Sequence, residues 1–351
     1  MTALLATVGL PELVAGILVL ALNAYLLTGG ADFGGGVWDL LASGPRRDAQ
    51  RALVAEQIGP IWEANHVWLV LVVVILFTAF PSAFATLGIV LHVPLSLMLI
   101  GIVLRGSSFV FRSYGARDDA AQRRWSRVFA GASIVTPVLL GIIVGAIASG
   151  AVGRAAAMVP VDGAGGAAAP TFAGIYIAPW LAPFPLAVGA LALAMFALLA
   201  ATYLAVAARD DALRDDFRRR ALGAALVVAV IGVASLIVAH HEAPDIGRGL
   251  VGGWAVFTVG AAGAALLGAY ALVRRQWSLA RIAAAAEASC ILWGWAAAQY
   301  PLLVPPSLTV SAAAAPRVTL TLLLYALAGG GVVLLPALAW LFRLFGRRVS
   351  G

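Results

Sequence analysis

The sequence predicts an all-α polytopic membrane protein with nine transmembrane helices, arranged as two four-helix bundles and one peripheral helix. Of its 351 residues, 62% are hydrophobic and only 11% are charged, whereas soluble domains are about a quarter charged. Apolar stretches of about 20 residues, the length that crosses a bilayer as a helix, recur along the chain. They are rich in Leu, Ala and Val and do not alternate with polar residues, which favours helices over barrel strands.

The nine predicted spans form a single integral membrane domain over residues 1–351. Several exceed the length that a bilayer requires, which indicates tilted helices or helices that extend past the membrane. Residues 1–22 contain no arginine, so we expect a retained first helix rather than a cleaved signal peptide. The spans cover roughly 10–41, 52–79, 82–112, 122–150, 173–207, 218–240, 252–273, 279–300 and 318–345.

The arginine distribution predicts the orientation of these helices, because basic residues concentrate on the cytoplasmic side of a membrane. All 23 basic residues are arginine. If the N-terminus is outside, 20 of them fall on inside segments and only Arg154, Arg248 and Arg317 fall outside. The split predicts an N-out, C-in protein of a cytoplasmic membrane. It also accounts for the net charge of +7 without nucleic acid as a partner.

Two outside connections lack a helical pattern. Residues 151–172 are rich in Gly and Ala and are predicted to form a flexible loop. Residues 300–316 contain four prolines, which predicts an irregular rim.

Four acidic residues at membrane depth are the main functional candidates, since ionisable groups there are costly. Asp32 and Asp39 lie seven residues apart on the first helix, and Glu56 and Glu63 lie seven apart on the second, so each pair shares a helix face. Counted from the cytoplasmic side, their depths are about 3 Å for Asp39, 8 Å for Glu56, 14 Å for Asp32 and 18 Å for Glu63. Such a ladder suits a proton path. The alternative is that the acids pair with Arg47, Arg51 or backbone groups.

Small and polar residues surround these acids. Gly30 and Gly34 form a small-xxx-small step that would let another helix pack closely beside Asp32. Arg105 is expected inside the membrane, where it either snorkels to the surface or pairs with a carboxylate or with a cofactor propionate in a partner.

The histidines offer weaker candidates. His66 and His92 both lie in spans and could ligate a haem, although a lone helical histidine is more often hydrogen-bonded. His240 and His241 stand beside Glu242 and Asp245, where an ordinary polar loop is favoured over a metal site. Glu287 is a further membrane acid, one turn from the single cysteine, Cys290. No nucleotide, zinc or nucleophile motif is present, so we assign no metal and no catalytic residue to this chain.

Three stretches carry a resemblance to a known family. Ala31–Gly36 on the first helix, Pro60–Leu69 on the second and Arg105–Arg112 on the third resemble motifs of cytochrome bd subunit II. The second motif is the most specific, with its proline, tryptophan, acid, asparagine and second tryptophan. Supporting matches along the rest of the chain are Phe77–Pro81, Ala201–Leu204 and Tyr300–Ser307.

The resemblance implies a fold with nine helices and a role in a complex. In that family, subunit II binds no haem and pairs with a similarly folded subunit I, which carries two b haems, the d haem and the quinol site. By position, Asp32 and Glu63 match the family's membrane acids, and Trp68 matches a residue of the oxygen route. Subunit I, quinol and membrane lipid are the implied partners, and a structural quinone is a further candidate cofactor. Structural or partner-facing roles are expected for Trp62, Asn65, His66, Arg105 and Arg112.

The function that follows is a terminal oxidase subunit, with protons for water formation drawn from the cytoplasm past Asp32 and Glu63. Three departures indicate a divergent branch: Glu63 stands where Asp is usual, His66 where Gln or Glu is usual, and Ala31 where Phe is usual. Two alternatives stay open. One is a proton-coupled transporter that uses the same acids, and the other is a di-haem b-type cytochrome that uses His66 and His92.

Overall fold

The computed structural model describes residues 9–58, 62–114, 119–159 and 171–348. The described chain is almost entirely helical, with one small two-stranded sheet. Its elements are α1 (Leu10–Leu40), α2 (Arg47–Ile58), α3 (Trp62–Asn65), α4 (Val67–Ala79), α5 (Pro81–Val90), α6 (His92–Tyr114), α7 (Asp119–Ala148), α8 (Ala151–Ala156), α9 (Phe172–Tyr176), α10 (Pro183–Ala207), α11 (Asp211–Glu242), α12 (Pro244–Val251), α13 (Ala255–Val273), α14 (Trp277–Gln299), β1 (Leu302–Val304), β2 (Leu308–Thr309), α15 (Val310–Ala313) and α16 (Arg317–Arg348).

Seven helices of the described chain are long and apolar enough to cross a membrane. They are α1, α6, α7, α10, α11, α13 and α16. An eighth span results if Glu63–Ala79 and Pro81–Val90, which meet at an angle of 116°, are counted together. The prediction of an all-α polytopic membrane protein is therefore confirmed.

Helix α10 lies at the centre of the molecule and packs against α1, α7, α11 and α14. Its sequence suits this position, because it is largely alanine and leucine and most of it is buried. The helix faces α7 across a glycine: a Cβ at Gly141 would lie 2.5 Å from the carbonyl oxygen of Val188. Helix α16 is the opposite case, since only 6% of its most apolar part is buried.

Prolines divide two of the predicted helices. The helix predicted over 82–112 is broken at Leu91, between α5 and α6. Pro94 explains the break, because it cannot donate a hydrogen bond to the carbonyl of Val90 and its ring crowds that group. The helix predicted over 173–207 is likewise divided into α9 and α10, and Pro183 stands at the first position of α10, where a missing N–H costs nothing.

The two connections predicted to lie outside carry more regular structure than predicted. In the first, residues 151–156 form α8, and residues 160–170 lie outside the described part of the chain. In the second, β1 and β2 pair antiparallel and α15 follows. Helix α8 packs closely on this second connection, since a Cβ at Gly153 would overlap the carbonyl oxygen of Pro305. The contact buries apolar side chains of both connections: Val152 of α8 and Val304 of β1 are almost fully buried.

An ion-pair cluster joins the start of α2 to α11 at what we call the arginine-rich end, formed by the C-terminus of α1, α2 and the N-termini of α7 and α11. Arg46 donates two hydrogen bonds to Asp216, at 2.6 and 2.8 Å, and Gln50 donates a third at 2.9 Å. The hydrogen bonds with Asp216 raise the pKa of the Arg46 guanidinium above its ordinary value. Arg220 completes the cluster through the Gln50 side-chain oxygen at 2.6 Å.

We expect Asp216→Asn to lower the apparent Tm of the detergent-solubilised protein by about 2–4 °C, because the charged acceptor of three hydrogen bonds is lost. The matched control is Asp211→Asn on the same helix, whose side chain is 87% exposed and makes one pair within the helix. That exposed pair should contribute almost nothing. Equal shifts for the two variants in a thermal denaturation series would contradict a role for the cluster in joining α2 to α11.

Candidate functional site

The candidate site is a buried polar cluster where α1 meets α3, α6, α7 and α10. Asp32 is its centre and is only 4% exposed, although it lies in a membrane helix. Two glycines allow α10 to cover it. A Cβ at Gly30 would lie 2.7 Å from the ring of Phe196, and a Cβ at Gly34 would overlap the Phe196 carbonyl oxygen. The close helix approach predicted from these glycines is confirmed, and it keeps lipid away from Asp32.

Asn65 and Arg105 bind Asp32 from two sides. The Asn65 amide donates to the Asp32 carboxylate at 2.5 Å, and Nη2 of Arg105 donates to the Asp32 backbone carbonyl at 2.8 Å. The Arg105 guanidinium also lies over the rings of Phe33 and Phe129, at 4.7 and 5.3 Å from their centroids. Arg105 is 2% exposed, so it does not snorkel. Carboxylate and guanidinium therefore share one buried site as a pair of opposite charges.

Several buried polar atoms of this region have no hydrogen-bond partner among the described residues. They include Tyr25 Oη, Asn65 Oδ1, Arg105 Nε, Ser133 Oγ and Thr136 Oγ1. Buried polar groups without a protein partner are usually satisfied by water. Ser133 is the most informative of them, since its hydroxyl lies against Gly36, which is four residues from Asp32 and three from Asp39 on α1.

Asp39 lies two turns from Asp32 toward the arginine-rich end. It is 2% exposed, and Arg112 donates to both of its oxygens at 3.1 and 3.2 Å. Arg51 lies 3.9 Å from the same carboxylate and donates to the Asp39 backbone carbonyl at 3.2 Å. A cavity of about 180 Å³ reaches Asp39 and Arg112, with Phe129 in its wall. The guanidinium groups of Arg112 and Arg105 lie 4.9 and 5.3 Å from the centroid of the Phe129 ring, so this ring borders the surroundings of both Asp39 and Asp32.

The other two acids of the predicted ladder lie on the surface of the chain. Glu56 and Glu63 are both exposed, whereas Asp32 and Asp39 are both buried. Asp32 and Asp39 share a buried face of α1, as their spacing predicted. The helix predicted over 52–79 is instead divided into α2, α3 and α4, so Glu56 on α2 and Glu63 on α3 do not share a helix face. On α4, which follows Glu63 in the chain, apolar side chains such as Val70 and Phe77 are also exposed.

The remaining residues of the α3–α4 motif line the same region. His66 directly precedes α4, and its ring centroid lies 5.9 Å from that of Tyr25 and 6.2 Å from that of Phe33. Trp68 is half-buried and packs beside the aromatic cluster of Tyr25, Phe33 and Phe196. Trp62 begins α3, but its side chain, like Pro60 and Ile61 of the motif, lies outside the described part of the chain.

The other histidines lie elsewhere. His92 is exposed at the start of α6, where its Nδ1 lies 2.9 Å from the carbonyl oxygen of Ile89 and its ring packs on Tyr176. His240 and His241 end α11 beside Glu242, which accepts a hydrogen bond from the Phe184 backbone at 2.8 Å and so caps α10. Within the described residues, no group of three or more His, Cys, Asp or Glu side chains could hold a metal.

Two other acidic side chains of interest stand apart from the cluster. Asp245 pairs with Arg248 at 2.6 Å on the surface of α12. Glu287 is 5% exposed and lies among the buried alanines of α14.

Tyr25 is the residue of the cluster that sequence reasoning missed. It is 3% exposed and packs with Phe33 and Phe196 beside Asp32. A signal for it was present, because Tyr25 precedes Asp32 by seven residues, as Asp32 precedes Asp39, and so occupies the same helix face.

Comparisons with known proteins point to one family. The family described as cytochrome bd terminal oxidase subunit II matches residues 10–345. Cytochrome bd ubiquinol oxidase subunit 2 of Bacillus subtilis is 30% identical over 36% of this chain and 36% of its own length. Cytochrome bd-I ubiquinol oxidase subunit 2 of Escherichia coli is 28% identical over 39% of this chain and 35% of its own length. The chain thus aligns with only about a third of each of these curated relatives.

The fold has a solved counterpart. The structure of bd oxidase from Geobacillus thermodenitrificans matches with a TM-score of 0.71 and 21% identity, covering 96% of this chain and 98% of that one. At this identity the match shows the fold. Because the family match extends over almost the whole sequence, the chain belongs to the cytochrome bd terminal oxidase subunit II family and is a multi-pass protein of the bacterial inner membrane.

Proposed function

We propose that the chain is the haem-free second subunit of a cytochrome bd-type terminal oxidase, which passes electrons from quinol to oxygen and forms water. Its relatives are named as ubiquinol and menaquinol oxidases, which supports quinol as the class of donor. The observation that carries the proposal is the buried cluster of Asp32, Asn65 and Arg105. Such groups are expensive inside a membrane and mark a functional path.

The proposed topology has nine spans with the N-terminus outside. The broken segment α2–α4 and helix α14 are counted as spans in addition to the seven apolar helices. Helix α14 has 23 residues and is about 34 Å long, and its buried Glu287 and Gln299 lower its hydropathy. The arginine-rich end is assigned to the cytoplasm. Helices α1, α4, α6 and α7 would form one bundle, α10, α11, α13 and α14 the second, and α16 would be peripheral.

The haems and the quinol site are assigned to a partner, subunit I. The histidines of this chain support that assignment. His66 packs against Tyr25 and Phe33, whereas His92 lies near Ile89 and Tyr176, with α4 and α5 between them in the chain. Two axial ligands would have to meet at one iron, so this arrangement does not favour a di-haem cytochrome. A structural quinone remains a candidate cofactor of the complex.

The proton path is proposed to run along α1 from the cytoplasm. The cavity at Asp39 would admit water, and the Ser133 hydroxyl beside Gly36 would bridge part of the roughly 10 Å rise between Asp39 and Asp32. Asp32 would then hold a proton between Asn65 and Arg105. Glu56 and Glu63, which are exposed on this chain, would face subunit I and pass protons across the interface.

We expect Ser133→Ala to slow quinol:oxygen turnover by about tenfold, because a polar step of the path is lost. Ser235→Ala is the matched control, since Ser235 is also a buried serine with an unpartnered hydroxyl but lies on α11, away from the cluster. Oxygen consumption by the purified complex measures both. Equal rates in the two variants would contradict a path beside Gly36.

The oxygen route is proposed to pass Trp68. Its half-buried ring stands between the exposed apolar surface of α4 and the aromatic cluster around Phe33. Oxygen is apolar and concentrates in lipid, so an apolar channel from the membrane suits it better than an aqueous one. The ring of Trp68 would form part of the wall of such a channel.

Purification from the native membrane tests the proposed function. An oxidase subunit should co-purify with a second, haem-bearing polypeptide, show the visible absorbance of b and d haems, and consume oxygen when quinol is added. A proton-coupled transporter would use the same buried acid, but it would purify without colour. Isolation of this chain alone and colourless, under conditions that keep other membrane complexes intact, would contradict the proposal.

A further inference from the structure

A second, wider cavity opens at the arginine-rich end and lies beside the one that reaches Asp39. Its volume is about 490 Å³, and it lies between the end of α1, the start of α2 and the first turns of α7. Four arginines line it: Arg47 and Arg51 from α2, and Arg123 and Arg127 from α7. Asp39 is the acidic side chain in its wall.

The charges in this cavity do not balance within the described chain. Asp39 is already bound by Arg112 through both oxygens and lies 3.9 Å from Arg51. Arg47, Arg123 and Arg127 make no ion pair with any carboxylate that the structure describes. Guanidinium groups held around one cavity repel each other unless an anion enters it. Planar guanidinium groups pair most favourably with carboxylate or phosphate.

The cavity also has an apolar side. Leu40 lines it and is 46% exposed, and the neighbouring Leu41 is 53% exposed. Beyond Arg127, α7 continues as an apolar membrane helix. An occupant that enters from the membrane would therefore meet arginines at one end and leucine side chains at the other.

We propose that this cavity binds the phosphate headgroup of an anionic phospholipid from the cytoplasmic leaflet, with an acyl chain along Leu40 and Leu41. The leaflet assignment uses the proposed topology, whereas the site itself does not depend on oxidase activity. Anionic lipids are attracted to basic groups at this surface by about 1 kcal/mol for each arginine. A headgroup here would also neutralise the rim of the cavity through which Asp39 is reached.

Native mass spectrometry of the delipidated complex, titrated with phosphatidylglycerol, tests the proposal. Replacing both Arg123→Gln and Arg127→Gln should weaken the tightest lipid-binding step about 30-fold. The control variant carries Arg124→Gln and Arg274→Gln, which removes the same charge from exposed arginines that do not line the cavity. It should bind lipid within about threefold of the wild type, since its charges lie farther from the headgroup.

Each other outcome overturns the proposal. Equal phosphatidylglycerol binding by the two variants would mean that the cavity is not the lipid site. Equal binding of zwitterionic phosphatidylcholine, or displacement of the lipid by inorganic phosphate alone, would indicate a site for phosphate in general. Loss of the partner polypeptide from the Arg123/Arg127 variant, with lipid binding unchanged, would make the cavity a subunit contact. Oxygen consumption is recorded separately, so a failure here does not count against the oxidase assignment.

Discussion

Asp32→Asn is expected to lower quinol:oxygen turnover by on the order of 100-fold, the low end of what a positioned proton donor or acceptor contributes. The variant keeps the shape of the side chain and loses only the group that can take and release a proton. It also leaves the buried Arg105 without a nearby carboxylate, which is itself destabilising. Oxygen consumption and thermal stability of the purified complex must therefore be measured together.

A second variant separates the two effects. Combining Asp32→Asn with Arg105→Gln removes both charges, so the buried site is neutral again and stability should return toward that of the wild type. Turnover should stay low, because no carboxyl group has been restored. If activity recovers together with stability, Asp32 acts only as a counter-charge for Arg105, and the proton path along α1 is wrong.

Gly34→Ala is expected to have the largest effect on folding. The added methyl group would overlap the backbone carbonyl of Phe196, which cannot turn away as a side chain could. Helices α1 and α10 would have to separate, and their contact includes the hydrogen bond from the Trp38 indole to the Ala197 carbonyl at 2.8 Å. We expect a cost of about 3 kcal/mol, the upper end for overpacking, which is a large part of the stability of most proteins.

Gly16→Ala provides the control on the same helix, because a Cβ at Gly16 would meet open space. This variant should accumulate in the membrane like the wild type, since alanine is the better helix former. The amount of complex extracted from membranes, and its Tm, measure both substitutions. Wild-type levels and Tm for Gly34→Ala would show that α1 and α10 are not packed as described.

The sequence predicted the interior of the fold better than its surface. Gly30 and Gly34 indicated a close helix approach, but nothing local identified α10 as the partner, because Phe196 is more than 160 residues away in the chain. The break at Leu91 was missed, since a proline such as Pro94 is tolerated near the start of a helix and is informative only once that start is known.

The candidate site shows a similar limit. Spacing placed Asp32 and Asp39 correctly on one face of α1, but Glu56 and Glu63 lie on the separate helices α2 and α3, and spacing could not tell which of these acids would be buried. In a membrane protein the outer face is as apolar as the core, so the contrast that orients a helix in a soluble protein is weak. Arg105 illustrates the same point: its burial against Phe33 and Phe129 depends on α7, which no local pattern of α6 reveals.

Infrared difference spectroscopy of the whole complex, reduced minus oxidised, tests most directly whether Asp32 exchanges a proton during the reaction. We expect a carboxyl C=O stretching band that shifts in D₂O and is missing from the variant that combines Asp32→Asn with Arg105→Gln. The same band should persist in the Ser235→Ala control. A difference spectrum that is unchanged when Asp32 is replaced would mean that this carboxyl group keeps one protonation state throughout, and the proposed proton path could not be correct.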